Sequence, residues 1–183
     1  MELILRLQRT MRRINREYRV IFIPDPVCWT QAPEDYRSLQ TQRRRWQRGL
    51  SESLFGNFEM FLNPQFGTLG MISFPFFLFY EFLGPVIEFT GYIVFVYAMF
   101  SGLLNPSFAL LFLSAAILLG ILLSTAALLM EEIFYRNYPR LRDVLILFLF
   151  AVLENLFYRQ LHTWWRFRGL LDFFFKPRTW GSV

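Results

Sequence analysis

Residues 89–130 run for 42 positions without a single charged side chain. About 20 apolar residues, each rising 1.5 Å along a helix, are enough to cross the ~30 Å hydrocarbon core of a bilayer. The tract therefore accommodates two crossings, with the uncharged GLLNPS at 102–107 as the turn between them. Such a tract, in a chain 55% hydrophobic with 23 Phe, departs from the balance of a water-soluble fold. The chain reads as a mainly α, integral membrane protein.

The net positive charge is confined to the front. Residues 1–48 carry eleven Arg against five acidic residues, whereas the remainder is nearly balanced. All basic residues except Lys176 are Arg, whose planar fork suits phosphate better than the point charge of Lys. A basic front fits nucleic acid, lipid headgroups or a phosphorylated substrate. Nucleic acid is the poorest of the three, because the segment is joined to membrane spans and contains no recognisable nucleic-acid module. Cys28 is the sole cysteine, so neither a disulfide nor a cysteine-rich metal site follows. No secretory signal opens the sequence, since arginines interrupt its first apolar run.

Along the chain, residues 1–16 have amphipathic helical spacing, with Leu3, Leu7, Met11 and Ile14 on one face, as in a surface helix of a soluble domain. YRVIFIPDP, residues 18–26, predicts a buried strand leading into a loop with Asp25 as a turn residue. A second helix is expected from APEDYRSL, with Pro33 in its first turn and Glu34 and Asp35 complementing the positive helix end. Its apolar spacing through Leu39, Trp46, Leu50, Leu54 and Phe58 reaches about Leu62, with a break expected near Gly49. Residues 71–100 predict a helix kinked at Gly84-Pro85, and residues 107–130 a second span. Residues 144–158 form a third apolar stretch.

The resulting organisation is 1–50, the end of a cytosolic domain; 51–66, an interfacial amphipathic helix; 67–158, the transmembrane region; and 159–183, a basic, aromatic tail on the cytoplasmic side. Arginine placement puts the front in the cytoplasm. A full third crossing would carry Arg159, Arg166, Arg168, Lys176 and Arg178 outside, against the rule. A re-entrant third stretch avoids that. Two crossings within residues 70–101 also bring the tail inside, but strand Arg136, Arg140 and Arg142.

One constellation stands out in TQRRRWQRGL, residues 41–50. Gln42, Arg45 and Trp46 are spaced i, i+3, i+4 and share a helix face. A guanidinium grips a diphosphate through two parallel hydrogen bonds, an indole offers a flat surface for a sugar ring, and an amide both donates and accepts. The bland alternative is a basic amphipathic helix whose Trp anchors at lipid headgroups.

Gln42-Arg43-Arg44-Arg45-Trp46 resembles the Q-x-x-R-W motif of the processive, membrane-embedded family 2 glycosyltransferases: the cellulose, chitin, hyaluronan and poly-N-acetylglucosamine synthases. The preceding FIPDPVCWTQAPEDYRSL is similar to that family's passage from the last strand of a GT-A-like α/β catalytic domain, and an interfacial helix and two to four membrane helices would follow. Thr179-Trp180-Gly181-Ser182 is similar to the W-G-T motif of chitin and hyaluronan synthases, which makes Trp180 and Gly181 further substrate-binding candidates. Thr30-Gln31 stands where relatives have Thr-Glu.

The resemblance implies that Trp46 lies under the acceptor sugar, Arg45 contacts the donor diphosphate and Gln42 shapes the same site. Arg43 and Arg44 have no motif role and would be solvated or touch lipid phosphate. It further implies a nucleotide-sugar donor, a divalent metal (Mg or Mn) whose ligands lie outside this chain, and a catalytic Asp in an amino-terminal catalytic half that would precede Met1. No catalytic residue is expected in this chain, which by itself is expected to transfer no sugar. The expected setting is multi-pass in a membrane, a bacterial inner membrane in particular. The alternative is a non-catalytic membrane module whose arginine-rich helices bind anionic lipid or a partner protein.

Among other residues, Glu81 and Glu88 are expected at the interface near the kink, or else lining a polysaccharide channel. His162 reads as an interfacial side chain, and Trp164 and Trp165 as a membrane-surface belt. No second nitrogen or sulfur ligand accompanies His162, so zinc has no support.

Overall fold

The computed structural model describes residues 2–21, 23, 28, 30–135 and 140–175. The protein is mainly α, with no strand among these residues. Two compact units divide it: Met1–Ile87 with Trp165–Val183, and Glu88–Trp164.

In the first unit, helix α1 (Glu2–Arg13) is tied down by its arginines. Arg9 donates to the carbonyl of Gly56 at 3.3 Å and pairs with Glu59, and Arg13 also pairs with Glu59 at 2.5 Å. Its apolar face is not a core face: Leu3, Ile4 and Leu7 are exposed, as is Ile14 beyond its end. The expected strand is absent as well. Residues 18–21 and 23 are irregular, with Val20, Ile21 and Ile23 all exposed. A strand needs a neighbour to take its N–H and C=O groups, and none is present among the described residues. Asp25 lies outside the described residues.

Helix α2 (Tyr36–Gly56) starts three residues later than Pro33 suggests, because Asp35 is its N-cap. The carboxylate accepts from the Ser38 N–H at 2.9 Å and from the Ser38 hydroxyl at 2.6 Å. These bonds, the hydroxyl's first, hold the Asp35 carboxyl below its ordinary pKa. A lowered folded pKa means that the cap's contribution is present above the ordinary carboxylate value and is lost as pH falls through the lowered one. Asp35→Ala is therefore expected to accelerate amide exchange over residues 36–39, and Asp35→Ser to restore protection.

The helix continues through Gly49 without the expected break and ends at Gly56, where the Asn57 N–H closes onto the Leu54 carbonyl at 3.1 Å. It does not reach Leu62. Two 3-10 turns follow, Phe58–Met60 and Pro64–Phe66, the second opened by the Asn63 side chain accepting from the Gln65 N–H. Gly70 packs so closely behind them that a Cβ there would lie 2.6 Å from the carbonyl oxygens of Asn63 and Met60.

A π-helical turn (Leu69–Ser73), a short α3 (Phe74–Phe76) and a second π-helical turn (Phe77–Phe82) lead to a break at Leu83 and then to α4 (Gly84–Phe100). The kink is thus at the expected place and has the expected cause: Pro85 has no N–H to give to the carbonyl four residues back. The core of this unit is Leu50, Leu54, Met60, Phe66, Phe74, Phe82 and Leu170.

In the second unit, α4 and α5 (Pro106–Tyr135) join through a turn with Gly102 at φ 71°, a left-handed position suited to glycine. Phe95 stacks on Phe112 at 6.2 Å. Leu69–Phe100 (32 residues) and Pro106–Phe134 (29 residues) are long and apolar enough to cross a membrane.

Helix α6 (Leu141–Leu153) packs on α5 and passes through a π-helical turn (Glu154–Tyr158) into α7 (Arg159–Phe175). Residues 141–175 are helical throughout. Asn155 donates to the Ser124 hydroxyl at 3.2 Å and to the Ala151 carbonyl at 2.8 Å, while Ser124 donates to Glu154 at 2.7 Å. Gly120 leaves room for this cluster, since a Cβ there would lie 2.3 Å from the Asn155 amide oxygen.

Candidate functional site

Helix α2 has two working faces. Gln47, Leu50, Ser51 and Leu54, at helical spacing, are its buried side. The polar Gln47 is 3% exposed, whereas Trp46 turns outward, 59% exposed. Arg45 is exposed beside it and Gln42 is half-buried, so the three share one face as their spacing requires. Among the described residues Arg45 and Gln42 have no hydrogen-bond or ion-pair partner.

The neighbouring arginines are committed elsewhere. The Arg44 Nε donates to the Asp172 carboxylate at 3.0 Å and its Nη2 reaches the same oxygen; Arg48 pairs with Glu52 at 3.0 Å. Arg44 is therefore neither solvated nor placed against lipid, but joins α2 to α7. Arg43 lies with its guanidinium carbon 4.7 Å from the centre of the Trp46 ring, and its buried Nε has no partner among the described residues. One face of the indole is thus backed by a cation, which orients it. A cation over an exposed Trp contributes about 0.5–1 kcal/mol. A double-mutant cycle on unfolding with Arg43→Leu and Trp46→Leu is expected to return a coupling of about that size.

Of the residues expected at the membrane surface, Trp165 proves to be structural, while Trp164 is exposed and His162 half-buried. Trp165 is 1% exposed and meets Tyr36 edge-on at 5.1 Å, so it is core, not belt. Trp164 packs against Phe89 at 5.3 Å. His162 stacks on Tyr158 at 5.9 Å. The two membrane-segment glutamates have cationic partners: Glu81 with Arg166 at 2.7 Å, and Glu88 with Arg159 at 3.1 Å and the Thr163 hydroxyl at 2.7 Å. A carboxylate in a membrane segment needs such a partner, and here α7 supplies both.

Trp180 and Gly181 lie outside the described residues. No group of three or more His, Cys, Asp or Glu side chains gathers among the described residues. Arg166, Gly169 and Asp172, which meet Gln47 and Arg44 of α2, were not singled out by the sequence. Their sequence signals were faint: a glycine inside a helical pattern, and the one acidic residue of the tail.

A mainly α membrane protein presenting a cationic, aromatic helix face is the class that this fold and face define. A sequence model described as chitin synthase matches residues 6–180, nearly the whole chain. The chain belongs to the chitin synthase family. Chitin synthase 8 of Mycosarcoma maydis is 31% identical over 71 residues, covering 39% of this chain and 3% of that protein. The chain thus matches only a small part of the length of that relative. No solved structure matches it.

Proposed function

We propose that this chain is the carboxyl-terminal portion of a membrane glycosyltransferase that passes a sugar from a nucleotide-sugar to a growing polysaccharide. Arg45 holds the donor's diphosphate, Trp46 supports the acceptor sugar and Gln42 orients a polar group of either. The observation that carries this reading is the contrast within α2: Arg44 and Arg48 are neutralised by carboxylates, while Arg45 stands exposed, with no ion-pair partner among the described residues, beside an outward-facing indole.

In an inverting displacement at the anomeric carbon, negative charge builds on the departing diphosphate. A guanidinium already aimed there stabilises that charge more in the transition state than in the ground state. An aspartate from the catalytic half would take the acceptor's proton. The arginine-rich front would face the cytoplasm, where nucleotide-sugars are available.

Sugar transfer by the full-length protein carrying Arg45→Lys or Trp46→Phe, assayed beside membrane insertion of the same variants, tests this. Loss of transfer with unchanged insertion is expected. An effect that merely tracks total positive charge, equal for Arg45→Gln and for Arg6→Gln in α1, would overturn it.

A further inference from the structure

The break before α4 leaves one backbone group without a helical partner. In an α-helix the Glu81 carbonyl would accept from residue 85, but that residue is Pro85. The next donors are used elsewhere: the N–H groups of Val86 and Ile87 both go to the Leu83 carbonyl, at 2.9 and 3.0 Å. The freed Glu81 carbonyl is captured from two sides. The Gln47 amide nitrogen donates to it at 3.2 Å and the Arg166 Nη2 at 2.6 Å. The same Nη2 donates to the Glu81 carboxylate at 2.7 Å, and the Arg166 Nε donates to the Gln47 amide oxygen at 2.9 Å. Both ends of the Gln47 amide are thereby satisfied, which is how a buried polar side chain is tolerated.

Further contacts continue the same seam. Gly169, one turn after Arg166, lets the Arg44 carbonyl approach so closely that a Cβ would lie 2.6 Å away. Asp172, one turn further, takes Arg44. Residues 166, 169 and 172 of α7 therefore grip residues 44 and 47 of α2, and these two flank Arg45 and Trp46 in the chain. Successive residues on a helix are about 100° apart. Holding Gln47 inward thus fixes which way Arg45 and Trp46 point.

We propose that Arg166 is a positioning residue for sugar transfer. It sets the rotation of α2 against the first membrane segment and so the presentation of Arg45 and Trp46. The inference rests on the transferase reading. Only arginine suits the place, because three acceptors at different bearings need a planar fork of donors, and lysine offers a single point.

The test uses the full-length enzyme in membranes. Arg166→Ala is expected to lower kcat by roughly 10–100-fold, the scale of a misplacement near 1 Å, with the donor KM within about threefold. Amide exchange over residues 43–50 is expected to speed up. Arg166→Lys is expected not to restore kcat. Gln47→Leu removes the same link without stranding a charge, so it carries the test if Arg166→Ala fails to accumulate. The double variant is expected to fall no further than either single, as for residues acting as one unit.

Wild-type kcat in Arg166→Ala or Gln47→Leu, alongside lost transfer in Trp46→Phe, overturns the positioning role alone. Full transfer in both Arg45→Lys and Trp46→Phe overturns the transferase role of the α2 face, and the positioning role with it, even where exchange over residues 43–50 still changes.

Discussion

Gly169→Ala is expected to destabilise the protein by about 2–3 kcal/mol, the cost of forcing atoms into a packed contact. Helix propensity alone predicts the opposite sign, since alanine is favoured over glycine by about 1 kcal/mol inside a helix. The steric effect wins because the atom in the way is backbone. The new Cβ would lie 2.6 Å from the Arg44 carbonyl oxygen and 3.1 Å from its Cα, and neither can swing aside as a side-chain tip could. Helices α2 and α7 would have to part, which strains the Arg44–Asp172 pair and the Arg166–Gln47 bond at once. Gly169→Val should prevent accumulation altogether. The unfolding midpoint of detergent-solubilised protein checks this against Gly49→Ala, in the same α2 helix but with nothing within 4 Å of its Cβ position. That control should be neutral or stabilising, by up to about 1 kcal/mol. Equal effects at Gly49 and Gly169 would mean that the helix–helix approach does not occur.

In the full-length enzyme, Arg45→Lys is expected to lower kcat/KM for the nucleotide-sugar by roughly 10–100-fold. On the proposed reading charge is kept but one of two parallel bonds to the diphosphate is lost, and a hydrogen bond to a charged group contributes about 1.5–3 kcal/mol. Trp46→Phe keeps an aromatic ring but shrinks the surface proposed to support the acceptor and weakens the Arg43 contact, since Trp is the best cation-binding ring. Its loss should therefore appear with acceptor more than with donor. Salt separates these effects from bulk charge. Attraction to anionic lipid falls with ionic strength, whereas a ratio set by bidentate geometry should persist from low to moderate salt. A ratio of variant to wild-type activity that converges on one as salt rises would argue for the lipid-binding alternative.

Some of this arrangement was readable in advance. The uncharged tract at 89–130 foretold paired spans, because in hydrocarbon a backbone must satisfy its own hydrogen bonds, and length then follows from helix rise. Asp35 announced a helix start, and Gly84-Pro85 a kink, through chemistry confined to a few neighbouring residues. The common face of Gln42, Arg45 and Trp46 followed from spacing alone once the segment was helical.

What spacing could not supply was partners. YRVIFI has a strand's composition, yet a strand exists only where another is placed beside it, and no strand neighbours its described residues. Trp165 resembles an interfacial anchor until Tyr36, far away in the chain, covers it. Nothing in the local spacing sets Gln47 apart as a buried residue. Its burial depends on Arg166, 119 positions later, and on a carbonyl released by Pro85.

The sequence by itself thus determined the membrane-spanning α class, the cap and the kink, and the residues that share a face of α2, since each is dictated by hydrophobic length or by chemistry within a turn. Tertiary structure alone decided which way that face points and which of its arginines are paired with carboxylates. A charge or amide is inward only when a distant group completes its hydrogen bonds, and no local pattern records where that group is.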